Sequence, residues 1–198
     1  MRKILVGIAM MGLALGAPPH AAAQGKAEPL GMVIDVQGKG TITEAGKSSP
    51  LEMLTYLKPA AEIQLQSGAA MTVTWYAGSK EMKFAGPARL KVSASGIDVA
   101  QGKPAQERAL ADEKVDATRK LPARLGQAAI SMRGIKPMTP EQETMREKLR
   151  PAENAPLSDW VTYAMGLEQI GLTGEAKSVW RKLSAQRPDD PKLRQLAK

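Results

Sequence analysis

The spacing of apolar and polar side chains changes character along the chain. Between residues 32 and 102 it has a period of two, with turn residues between short runs. Met32-Val33-Ile34-Asp35-Val36 precedes Gly38-Lys39-Gly40, and Thr41-Ile42-Thr43-Glu44 resumes the alternation. Glu62-Ile63-Gln64-Leu65-Gln66 ends at Ser67-Gly68, and Met71-Thr72-Val73-Thr74-Trp75-Tyr76 is the clearest strand. Side chains of a strand point alternately to its two faces, so Met71, Val73 and Trp75 share one and Thr72, Thr74 and Tyr76 the other. Runs at 81–84, 89–94 and 97–99 repeat the pattern. Several short strands spaced by turns, each with one apolar face, predict a small all-β antiparallel sandwich or barrel with its other faces in water. On this reading Asp35 stands on the solvent face of its run.

After Pro137 the period becomes helical. Thr139 is placed as an N-cap, Pro140 as the first helical residue and Gln142 as the third, which completes a capping box. That helix runs to about Arg150, with Arg146 and Lys148 near its negative end. Pro151 and Pro156 break it. A second helix starts at Ser158 and ends at Gly171, a third runs from about Thr173 to Gln186 and is closed by Arg187-Pro188, and Asp190-Pro191 opens a short last one from Lys192 to Ala197. Between the two regions, residues 103–136 have irregular apolar spacing interrupted by Pro104 and Pro122, and read as a connector with one short helix near 106–115. The predicted fold class is α+β and multi-module: a small antiparallel sandwich or barrel, then an α-helical hairpin region.

Charge and composition narrow the chemistry. The 198-residue chain carries a formal charge of +8, no cysteine and one histidine. Arg2 and Lys3 precede an uncharged apolar run at 4–17, then Pro18-Pro19 and Ala21-Ala22-Ala23. This has the three parts of a secretory signal, cut near Ala23, and the run is shorter than the roughly 20 residues a bilayer crossing needs. The expectation is a periplasmic protein without a transmembrane segment after signal cleavage, and His20 departs with the leader.

What remains has neither imidazole nor thiol. Ser–His–Asp and Cys–His machinery and zinc, copper or haem ligation by His or Cys are thereby excluded. No catalytic residue, metal ligand or cofactor is expected, and the chain reads as a non-enzyme. Carboxylates remain at Glu44, Glu52, Glu62, Glu81 and Asp98, on polar faces or in turns where solvation is their ordinary role. Gly38-Lys39-Gly40 lacks the further glycines and the helix of a phosphate loop and reads as a turn. The connector 103–136 holds eight Lys or Arg against four acids, but no aromatic residue that could stack on bases, so nucleic acid is not an expected partner.

Two resemblances add to this. Trp160, Tyr163, Ala164, Leu167, Gly171, Ala176, Trp180 and Pro188 fall in register on the large, small, turn and terminal-proline positions of a tetratricopeptide repeat. Leu183 departs from that pattern, standing where a small residue is usual. The β-region resembles the FecR-like domain of exported bacterial proteins. The resemblance rests on Val33 to Glu44, on Leu57-Lys58-Pro59-Ala60-Ala61-Glu62-Ile63-Gln64-Leu65, on 68–73 and on Phe84-Ala85-Gly86-Pro87-Ala88-Arg89-Leu90. Transducers of that family carry a cytoplasmic segment and a membrane span before the β-domain. Only three residues precede the apolar run here, so FecR-like signalling is the weakest of the implied roles.

The expected organisation is a signal peptide at 1–23, a FecR-like β-domain at 24–102, a basic connector at 103–136 and a tetratricopeptide-like module at 137–198. The expected function is non-catalytic binding or scaffolding in the bacterial envelope, with another envelope protein or a cell-wall polymer as partner. Trp75 and Tyr76 on the β-region, and Trp160 and Trp180 on the helices, are the expected contact residues. The alternative is a module for envelope polysaccharide or peptidoglycan that uses the β-face around Trp75 and Tyr76. A two-carboxylate hydrolase is a more remote reading.

Overall fold

A computed structural model describes residues 28–119 and 138–198. The expected signal peptide, within residues 1–27, and residues 120–137 lie outside the described residues. Strands β1 (Gly31–Gln37), β2 (Gly40–Glu44), β3 (Lys47–Pro50), β4 (Tyr56–Leu57), β5 (Glu62–Leu65), β6 (Ala70–Trp75), β7 (Lys80–Ala85), β8 (Ala88–Ser93), β9 (Gly96–Gln101) and β10 (Gln106–Ala109) form two five-stranded antiparallel sheets. The first has the order β10-β7-β6-β1-β4 and the second β3-β2-β5-β8-β9. Helices α1 (Asp112–Arg119), α2 (Pro140–Leu149), α3 (Leu157–Gln169), α4 (Thr173–Gln186) and α5 (Pro191–Leu196) complete the chain. The architecture is α+β.

The sheets pack face to face because each supplies one row of apolar side chains. Val33, Met71, Val73, Trp75 and Phe84 of the first meet Ile42, Ile63, Leu65, Leu90 and Val92 of the second in one cluster. The other face of the first sheet is also covered. Met32, Ile34 and Tyr76 belong to a second cluster with Val115, Val161, Met165, Leu167, Trp180 and Leu193 of the helices. The helices therefore form a third layer rather than a separate module, and α3 packs on β1 as well as on α1, α2 and α4.

This corrects the expectation that one face of every strand meets water. Thr72, Thr74 and Tyr76, opposite the sandwich core, are 6%, 1% and 6% exposed. Alternating hydrophobicity reports how polar a face is, and two threonines are polar enough to imitate a wet face under a helix.

Asp35 is a second correction. The register between β1 and β6 shifts between Val33 and Asp35, so two residues of β1 oppose one step of β6. Ile34 and Asp35 both turn to the helical side, and Asp35 is buried at 7% exposure instead of facing solvent.

The connector differs as well. Residues 106–109 form an edge strand, not the start of a helix, and the helix occupies Asp112–Arg119. Its cross-strand charges account for this choice. Arg108 Nε and Nη2 donate to Glu81 at 2.7 and 2.9 Å, Lys80 donates to Glu107 at 2.9 Å, and Arg108 Nη2 reaches Asp159 of α3 at 2.6 Å. The β-region thus extends past residue 102 and is tied to the helices by charge. The two carboxylates raise the basicity of Arg108 further, with the hydrogen bonds it donates to Glu81 as the largest cause.

The helical boundaries follow local chemistry. Thr139 accepts from the Gln142 backbone N–H at 3.2 Å, while Gln142 Oε1 accepts from the Thr139 N–H at 2.9 Å. Gln142 Nε2 also donates to the Ile170 carbonyl at 2.6 Å, joining the start of α2 to the end of α3. Gly171 adopts a φ of 81° beyond that end, a conformation glycine takes without a Cβ clash. Gly166 serves packing instead: a Cβ there would overlap the Leu149 side chain of α2.

Candidate binding groove

The aromatic residues singled out from the sequence do not form a surface. Trp75 lies inside the sandwich at 3% exposure. Tyr76 lies beneath the helices, where its hydroxyl donates to the Thr118 carbonyl at 2.9 Å and the Arg119 guanidinium stands 5.0 Å from its ring centroid. Burial pushes the Tyr76 phenol well above the ordinary tyrosine range. Trp180 is fully buried, and its Nε1 donates to Glu168 at 2.7 Å. Trp160 is half-buried and meets Tyr163 edge-on, with ring centroids 6.1 Å apart. Three of the four are core, and the expected aromatic contact face is corrected accordingly. Large apolar side chains fill the space between layers because burying one contributes about 1.5–3 kcal/mol.

The helical hairpin α3–α4 offers no open groove on α3 either. Every residue from Ser158 to Leu167 is buried or half-buried, with Val161 and Met165 wholly inaccessible against the sheet side of the cluster. A helix that is buried all round is a core element.

The carboxylates expected from the sequence disperse. Glu81 is engaged by Arg108, and Glu44 accepts from Lys58 at 3.1 Å. Glu62 and Asp98 are exposed on the outer face of the second sheet. Glu52 reaches a concavity at the seam between the sandwich and the helices. Among the described residues, no group of three or more His, Cys, Asp or Glu gathers to hold a metal ion. Nor is any described helix long and apolar enough to cross a membrane.

That concavity is a groove of about 620 Å3 at the seam between the sandwich and the helical layer. Its walls are residues 36–38 at the end of β1, residues 50–53 after β3 and residues 186–192 at the α4–α5 corner. Each wall is pinned. The Leu51 N–H donates to the Gly40 carbonyl at 2.9 Å, and the Leu54 N–H to the Val33 carbonyl at 2.7 Å. Arg187, the C-cap of α4, donates from Nη1 to the Val36 carbonyl at 2.9 Å and from Nη2 to Asp35 at 2.8 Å. Asp190 Oδ1 accepts from the N–H groups of Lys192 and Leu193 at 2.8 and 3.0 Å and so starts α5.

The result is a preformed trough between two layers, a common place for ligand sites, and its size is ordinary for one. The sequence reading used Arg187-Pro188 and Asp190-Pro191 only as helix punctuation. An acid inside the apolar run of β1, and an arginine just beyond a helix end, were the available signals for their pairing.

A second, shallower depression of about 460 Å3 crosses the outer face of the second sheet. Thr41, Gln64 and Arg89 are direct cross-strand neighbours there, as are Thr43, Glu62, Lys91 and Asp98 one row over. Comparison with known protein families, curated proteins and solved structures finds no match for this chain.

Proposed function

We propose that the chain is a non-catalytic, exported protein of the bacterial envelope that binds or scaffolds another envelope component, and that the seam groove is its contact site. The groove carries this reading. It is built jointly by the sandwich and the helices, and an ion pair between distant parts of the chain fixes its shape. The exported location rests on the leader pattern of Arg2-Lys3, the apolar run at 4–17 and Ala21-Ala22-Ala23. The FecR-like reading of the sandwich and the tetratricopeptide-like reading of the hairpin belong to the same proposal.

The test is capture from periplasmic extract by the immobilised chain and by Gln186→Trp, which fills the groove from an exposed position. A partner held by the parent and lost by the variant, at unchanged urea midpoint, supports the reading. Identical partner sets remove the groove from it.

The outer face of the second sheet favours a second reading, a module for envelope polysaccharide or peptidoglycan. Its two rows present hydroxyl, amide, carboxylate and cationic groups at strand spacing, a surface suited to many parallel hydrogen bonds. Co-sedimentation with purified cell wall tests it: loss of binding in Gln64→Ala/Arg89→Ala supports it, and unchanged binding rejects it.

A further inference from the structure

We infer that the seam groove selects a basic, partly apolar polypeptide segment of its partner. The inference rests on the reading of the groove as a binding site and adds the chemistry of what it accepts.

Without Arg2 and Lys3 of the leader the chain keeps 26 Lys or Arg against 20 Asp or Glu, a formal +6, and residues 103–136 carry +4 of it. The groove reverses that sign. Glu52, Asp189 and Asp190 line it, with Lys192 and Arg187 as the cations. Arg187 is already neutralised, because its Nη2 lies 2.7 and 2.8 Å from the two oxygens of Asp35. Three carboxylates therefore face one ammonium. Glu52 and Asp189 are exposed, and among the described residues neither carboxylate has a hydrogen bond or an ion pair. A concave wall concentrates their field more than a flat surface would.

The floor supplies the second requirement. Val36, Leu51 and Met53 give the trough an apolar lining, so a bare cation would leave it unfilled. Pro50, Pro188 and Pro191 stand on its walls and have no N–H to donate. Recognition there runs through side chains and not through a β-ladder. A segment that alternates lysine or arginine with leucine-like residues satisfies both halves, while a polyamine satisfies one.

The experiment titrates the full chain with two fluorescent probes, a leucine–lysine hexapeptide and its leucine–glutamate counterpart, and uses spermidine as unlabelled competitor. The basic peptide should bind, the acidic one should not, and spermidine should compete only weakly. Glu52→Gln/Asp189→Asn should weaken the basic peptide about tenfold, the combined effect of two partly exposed ion pairs. Both positions are exposed, and an unchanged urea midpoint checks the fold. Equal affinity for both peptides, an unchanged affinity in the variant, or stoichiometric displacement by spermidine would overturn the inference. If Gln186→Trp still loses its extract partner while the basic peptide fails to bind, the groove remains a site and only its charge selectivity falls.

Discussion

Arg187 Nη2 lies 2.8 Å from Asp35 Oδ2, although 152 positions separate the two residues in the chain. The Asp35 side chain is 9% exposed and that of Arg187 22%. A carboxylate taken out of water needs a partner, and removing that partner leaves an uncompensated charge. Arg187→Ala should therefore cost about 2–4 kcal/mol, at the lower side of a fully buried pair because water reaches the guanidinium. Asp35→Asn in the Arg187→Ala background should recover part of the loss. Urea denaturation of the two single variants and the double variant measures this, and additive losses would show that the pair is not coupled.

The tryptophans should separate by environment. Trp75 is 3% exposed and Trp180 wholly buried, while Trp160 is reached by solvent. Acrylamide should quench Trp160 and spare the other two, as single-tryptophan variants would show. Trp75→Ala should destabilise by about 3–5 kcal/mol, since it removes a large buried side chain from the sandwich core. Trp160→Ala should lose its edge-on contact with Tyr163 for about 1 kcal/mol.

Gly166 is set by the neighbouring helix. Alanine is the better helix former by about 1 kcal/mol, yet its Cβ would occupy the place of the Leu149 side chain. Overpacking of this kind costs about 1–3 kcal/mol, so Gly166→Ala should destabilise on balance. Trimming the neighbour reverses the sign: in a Leu149→Ala background, Gly166→Ala should stabilise. A thermal denaturation cycle over the four proteins checks it.

The contrast among these residues shows where the sequence was readable. The third helix was expected at about 173–186 and is observed at Thr173–Gln186, because Gly171 before it and Arg187-Pro188 after it are local signals. The Thr139 capping box was equally local. What escaped was set by partners far along the chain. Strand β10 is chosen by Glu81 and Lys80, about 27 positions earlier, and has no apolar row of its own. Asp35 changes sides through a bulge that no hydrophobic pattern encodes. The groove inherits this difficulty, because its three walls come from three distant stretches.

Alkaline pH should find Tyr76. Its phenol is raised above the unfolded value of 10.0 chiefly by burial, so the folded state keeps a proton that the unfolded state releases. Stability is then undiminished below pH 10.0 and falls as pH rises beyond it. Phenolate absorbance of Tyr76 should appear together with the loss of far-ultraviolet dichroism. In Tyr76→Phe, which forfeits the bond to Thr118, the alkaline loss of stability should be less steep. Ionisation of Tyr76 well before unfolding would contradict its burial.

The sandwich should not stand without its third layer. Met32 and Ile34 are wholly inaccessible, and Tyr76 is 6% exposed, because α3 and its neighbours lie against them. Truncation after residue 119 keeps Thr118 and Arg119 on Tyr76 but removes α3 from β1, turning Met32, Ile34 and the buried Asp35 toward water. Hydrophobic patches of that kind drive association, and the carboxylate would lose Arg187 at the same time. The truncated protein should therefore bind a hydrophobic dye and elute as aggregates. Restoring residues 138–198 as a separate polypeptide should reduce both effects. A monomeric fragment that unfolds cooperatively at the full-length midpoint would show instead that the helices rest on the sheet without supporting it.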